Sequence, residues 1–96
     1  MRCDIPKQVE NDIIALAKRC GINKVILFGS RARGDNRERS DIDLAVSGGN
    51  TTEFSASVDD DVRTLLMFDV VDLDGAVQSK LLDEIKKDGV VIYEKI

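Results

Sequence analysis

The chain has 96 residues, 43% of them hydrophobic and 33% charged, and no stretch of 18 or more consecutive apolar residues. That composition fits one small globular domain spanning 1–96 and leaves neither a disordered tract nor a transmembrane helix. Histidine is absent and the formal net charge is −4, which removes histidine acid, base and triad chemistry, makes a Cys/His zinc site close to excluded, and argues against direct nucleic-acid binding.

The N-terminal MRCDIPKQVE interrupts its apolar character at Asp4 and Pro6, unlike a signal peptide, so a cytoplasmic protein with Cys3 and Cys20 reduced is expected. Pro6 suits a first helical turn, and Val9, Ile13, Leu16, Ala17 and Cys20 recur on one face, predicting a helix from Pro6 to Cys20 with Gly21 as its left-handed stop. The apolar run Val25-Ile26-Leu27-Phe28 predicts a strand from Lys24 to Phe28. A polar, arginine-rich segment from Gly29 to Ser40 follows, expected to hold one helical turn. From Asp41 to Val46, Ile42, Leu44 and Val46 alternate with Asp41, Asp43 and Ala45, which is a strand with one apolar face and one acidic face.

Thr51 or Thr52 is expected to cap a helix running to Leu66, with Phe54, Val58, Val62, Leu65 and Leu66 inward. Asp59, Asp60 and Asp61 read as its solvated surface. Met67 to Leu73 predicts a third strand, Ala76 to Lys87 a helix burying Val77, Leu81, Leu82 and Ile85, and Val90 to Tyr93 a last strand. Gly89 is placed to stop that helix. The fold class is α/β (α+β), a small mixed sheet with helices packed on it.

Asp41-x-Asp43 on a strand carries the chemistry. Alternate residues share a face about 6.8 Å apart, and two neighbouring carboxylates repel unless a cation lies between them. Oxygen ligands without histidine favour Mg²⁺ or Mn²⁺ over zinc. Asp69 and Asp72 are three apart in MFDVVDL, so only one can share that face. Asp69, inside the apolar run, is assigned to the site, and Asp72 to a surface or capping role. Gly29-Ser30 directly follows a strand, where glycine lets backbone approach a phosphate and serine offers a hydroxyl and an N–H. Arg31 and Arg33 are the candidate cations for the same phosphate, whereas Arg37 and Arg39 read as solvated and paired with Asp35 and Glu38. Asp35 and Asn36 stand where a Walker loop requires Lys and Ser/Thr.

The combination Gly29-Ser30, ten residues, Asp41-Ile42-Asp43 within LFGSRARGDNRERSDIDLAV resembles the GS-x10-D-x-D signature of the DNA polymerase beta-like nucleotidyltransferase superfamily, and Asp69-Val70-Val71 resembles its third-carboxylate step. The whole chain resembles the minimal nucleotidyltransferases, commonly paired with HEPN-domain proteins in toxin–antitoxin systems. The resemblance implies AMP transfer from ATP to a tyrosine of a HEPN toxin. It further implies two Mg²⁺ ions on Asp41, Asp43 and Asp69, and β,γ-phosphates held by Gly29 and Ser30.

Two other readings stand beside it. One is a non-catalytic antitoxin acting by binding alone, disfavoured if three carboxylates converge in a buried site. The other is a small-molecule nucleotidyltransferase, for which 96 residues leave almost no acceptor-binding region. Small size also suggests that acceptor contacts come from another subunit, in a homodimer or hetero-complex.

Overall fold

The computed structural model describes residues 4–95; Cys3 lies outside them. Helix α1 spans Lys7–Arg19, with Pro6 as its N-cap and Val9, Ile13, Leu16 and Ala17 buried as the periodicity predicts. Cys20 follows as a buried free thiol, and Gly21 takes the left-handed stop at φ +68°. Strand β1 is Lys24–Phe28, a single helical turn α2 is Ser30–Arg33, and β2 is Ile42–Ser47. Helix α3 is Thr51–Asp61, β3 Phe68–Asp72, α4 Ser79–Asp88 and β4 Val90–Glu94.

The four strands form one mixed sheet in the order β3-β2-β1-β4. β1 runs antiparallel to both β2 and β4, while β2 and β3 are parallel, joined through α3. Alternation along the strands sends Val25, Leu27, Ile42, Leu44 and Val46 into the main core with α1 and α3. The opposite face is smaller. There Phe28, Ala45 and Ile85 pack together, joined by Ile26, Val71, Leu73 and Leu81. Helix α4 thus covers one end of that face and leaves the end carrying Asp41, Asp43 and Asp69 open.

Two predicted helices are shorter than their apolar pattern. The α3 pattern continues through Leu65 and Leu66, yet the helix ends at Asp61 and Val62 is extended. Asp59, Asp60 and Asp61 crowd the negative end of the helix dipole, where acidic side chains are unfavourable. Arg63 then leaves the helix to bind Asp12 on α1 through both its side chain and its N–H, at 3.0–3.1 Å. Val62 is still buried, but Leu65 is fully exposed, contrary to the inward position expected for it. The cap is also different: Asn50, not a threonine, accepts the Glu53 N–H, while Thr51 donates to Asp72.

Helix α4 begins at Ser79 rather than Ala76, and of its predicted core residues only Ile85 is fully buried. Gly89 does follow α4, but with an ordinary φ of −65°. A Cβ there would meet Ile85 O at 2.3 Å and Ile26 Cγ2 at 2.7 Å, so close approach rather than a left-handed turn requires glycine. Among the described residues no helix is long and apolar enough to cross a membrane.

Candidate active site

The parallel register of β2 and β3 sets Asp43 directly opposite Asp69. On its other side Asp43 pairs with Phe28, the last residue of β1 before Gly29. Asp41 stands two residues before Asp43, next to Ile42, whose N–H donates to Met67 O at 2.9 Å. The sheet therefore lines up three carboxylates along one open face, with the Gly29-Ser30 turn on the β1 side and Asp69 on the β3 side.

Gly29 is needed for two reasons. Its φ of +75° lies in the left-handed region, and a Cβ there would fall 2.3 Å from Asp43 Oδ2. The Asp43 carboxylate thus rests on the glycine that opens α2, and Ser30 begins the turn beside it.

The acids are unequally buried. Asp41 and Asp69 are exposed and Asp43 is half-buried, so the expected trio of buried carboxylates reduces to one. Asp69 reaches the row through strand register, not through the apolar burial on which its assignment was reasoned. Burial, then Asp69, then Asp41 push the Asp43 carboxyl up to about 6, and Arg33 opposes them. A nearby cation would relieve that repulsion, since opposite charge favours the ionised carboxylate. Among the described residues no three His, Cys, Asp or Glu side chains close around a common point. The carboxylate oxygens therefore form an open array rather than a closed protein cage.

The two arginines part company. Arg31, read above as a phosphate partner, is 4% exposed. Its Nε donates to Ser40 O at 2.9 Å, Nη1 to Asp4 O at 2.8 Å, and Nη2 to Glu38 O at 2.9 Å and, more weakly, to Arg37 O at 3.4 Å. Its guanidinium is committed to backbone carbonyls, so Arg31 holds the segment leading into Asp41 and is not placed to bind phosphate. No feature of the sequence distinguishes such an arginine from an anion-binding one. Arg33 is exposed, pairs with Asp35 and Asp88, and is the cation acting on Asp43. Asp35 therefore pairs with Arg33 rather than with Arg37 or Arg39. Asp72 accepts from Thr51 Oγ1 and from Asp74 N, away from the row, and Asp61 pairs with Arg19.

Residues 11–96 match the family described as polymerase beta, nucleotidyltransferase. The chain belongs to that family. The nucleotidyltransferase domain is 43% identical over 61 residues to a Methanocaldococcus jannaschii protein bearing the name protein adenylyltransferase. That match covers 64% of this chain and 58% of the relative, so the chain spans little more than half the relative's length. Among solved structures, the domain is similar to a chain of a toxin–antitoxin crystal structure with AMP-PNP, at 26% identity and TM-score 0.66, covering 90% of this chain and 73% of that one. It is also similar to a nucleotidyltransferase from Sulfolobus solfataricus, at 25% identity and TM-score 0.57, covering 93% and 79% of the two chains.

Proposed function

We propose that this nucleotidyltransferase domain transfers AMP from ATP to a hydroxyl of a partner protein, a tyrosine of a HEPN-domain toxin, and thereby acts as its antitoxin. The observation that carries the reading is the in-register pair Asp43–Asp69, with Asp41 two residues back and Gly29 under the Asp43 carboxylate. The relative bearing the name protein adenylyltransferase and the toxin–antitoxin structure with AMP-PNP support the transfer of AMP and the partner class.

In this reading Asp41, Asp43 and Asp69 would hold two Mg²⁺ ions, with Mn²⁺ a competent substitute, and such ions would supply Lewis-acid stabilisation of charge in the displacement. Gly29 and Ser30 hold the β,γ-phosphates at the start of α2, and Arg33 offsets their charge. The acceptor oxygen bonds to the α-phosphorus as the α–β bridging bond breaks and pyrophosphate leaves. Asp69 accepts the hydroxyl proton, since the chain has no histidine to do so.

The test is incubation with ATP labelled at the α-phosphate, Mg²⁺ and lysate of the source cell, read on a denaturing gel. A labelled protein band that disappears with Asp41→Asn is the expected result. A band of equal intensity with the variant overturns the assignment of the carboxylates. Binding of a partner with no label transferred would instead favour an antitoxin acting by association alone.

A further inference from the structure

Beside Asp41, on the β3 side of the carboxylate row, lies a cavity of about 460 Å³ lined by Glu38, Arg39, Asp41, Leu65, Leu66 and Met67. It sits where α3 failed to continue: Leu65 is fully exposed and Met67 is 59% exposed, although both are large apolar side chains. We infer that this cavity is the acceptor subsite, receiving an apolar, neutral-to-basic segment of the partner protein whose hydroxyl-bearing side chain points to Asp41 and Asp69. The inference rests on the transfer reaction proposed above.

Three observations lead to it. The first is direction. Attacking and leaving oxygens stand on opposite sides of the phosphorus in an in-line displacement. With the phosphates at Gly29-Ser30 on the β1 side of β2, as proposed, the acceptor arrives from the β3 side, where Leu65, Leu66 and Met67, the residues leading into β3, line the cavity.

The second is charge. Glu38 and Asp41 line the cavity against a single Arg39, an excess of negative charge that disfavours a polyphosphate and suits a neutral or basic peptide. The third is chemistry. Leucine and methionine walls with a polar rim match a side chain with an apolar body and a hydroxyl tip, as tyrosine has. The volume accommodates that side chain together with its neighbours.

The test uses the neutral variants Leu65→Asn and Met67→Gln, which leave the charge around Asp41 unaltered. Because both side chains already face solvent, circular dichroism and the melting temperature are expected to match wild type. Each variant is assayed with the acceptor protein that wild type labels, purified from the gel-identified band, and nucleotide affinity is measured by calorimetry with a non-hydrolysable ATP analogue. Loss of apolar contact is expected to lower labelling at sub-saturating acceptor by about tenfold or more, with nucleotide affinity unchanged. Unaltered labelling in both variants overturns the subsite. So does a parallel loss of nucleotide affinity, which would give the cavity to the base. If wild type labels no protein, the transfer reaction itself fails and the subsite falls with it. If wild type labels and only Asp41→Asn is silent, the reaction stands and the subsite alone is wrong.

Discussion

Asp43 has to be unfavourable for the fold if it is to attract cations, so Asp43→Asn should stabilise the metal-free protein while abolishing transfer. Its carboxyl is raised from 3.8 to about 6 by burial and by Asp69 and Asp41. At about 1.4 kcal/mol per unit this is a ceiling near 3 kcal/mol, and because Asp43 is only half-buried, screening by solvent reduces it to roughly 1–1.5 kcal/mol. The sign follows from proton linkage. Between pH 3.8 and about 6 the folded state binds more protons than the unfolded one, so wild-type stability falls as pH rises and the full cost is present above about 6. Thermal unfolding in EDTA at pH 8 should therefore place the Asn variant about 4–12 °C above wild type, on the usual scale for a domain of this size. The gain should shrink towards zero near pH 4, where the aspartic acid is largely neutral. Millimolar Mg²⁺ should then raise the wild-type midpoint and leave the variant's unmoved. An Asn variant that melts below wild type at pH 8 in EDTA would refute the electrostatic reasoning.

Gly29→Ala should cost about 1–3 kcal/mol in stability and most of the activity, because a Cβ at φ +75° both strains the turn and displaces the Asp43 carboxylate; retained activity would show that Asp43 need not rest there. Arg31→Met removes the buried guanidinium that donates to the part-buried carbonyl bonds at Asp4, Glu38 and Ser40 and should destabilise by about 1–3 kcal/mol, with hydrogen exchange rising first in residues 36–41. Asp12 is held below its ordinary value by hydrogen bonds from Arg63, so its contribution is present above 3.8 and lost as pH falls through the lower folded value; Asp12→Asn should melt lower than wild type at pH 7 and converge with it in strong acid. ATP should give no calorimetric heat in EDTA and should bind once Mg²⁺ is added, because three carboxylates face a single Arg33 already paired with Asp35 and Asp88; cation-free binding would contradict that balance.

How much of this was legible in the sequence differs by element. Strand β1 was readable as a short apolar run bounded by Asn23 and Gly29, and β2 because period-two alternation sorts side chains between a buried face and an acidic one; β2 does put Ile42, Leu44 and Val46 in the core. The in-register meeting of Asp43 and Asp69 required β3 to lie beside β2, which periodicity cannot tell. The end of α3 was misread because Val62, Leu65 and Leu66 keep a helical apolar spacing. Its actual end coincides with three successive carboxylates and with Arg63, whose partner Asp12 lies 51 positions away in sequence. Arg31 was misread for a related reason. A run of basic residues after Gly-Ser suggests anion binding, whereas its backbone acceptors at Asp4, Glu38 and Ser40 are set only by tertiary folding.

The unequal burial of the three acids has a structural origin that bears on their roles. Asp43 lies on β2, an interior strand with neighbours on both sides, and its carboxylate is pressed against Gly29. Asp69 lies on the edge strand β3, and Asp41 precedes its strand, so both are exposed. The electrostatic cost therefore falls on the one residue that rigid packing holds in place. In the proposed reaction, the two carboxylates assigned to meet a cation or acceptor are the ones that keep their contact with water. An edge-strand position leaves one side of β3 without a neighbouring strand, which is the side the proposed protein acceptor requires beside Asp69.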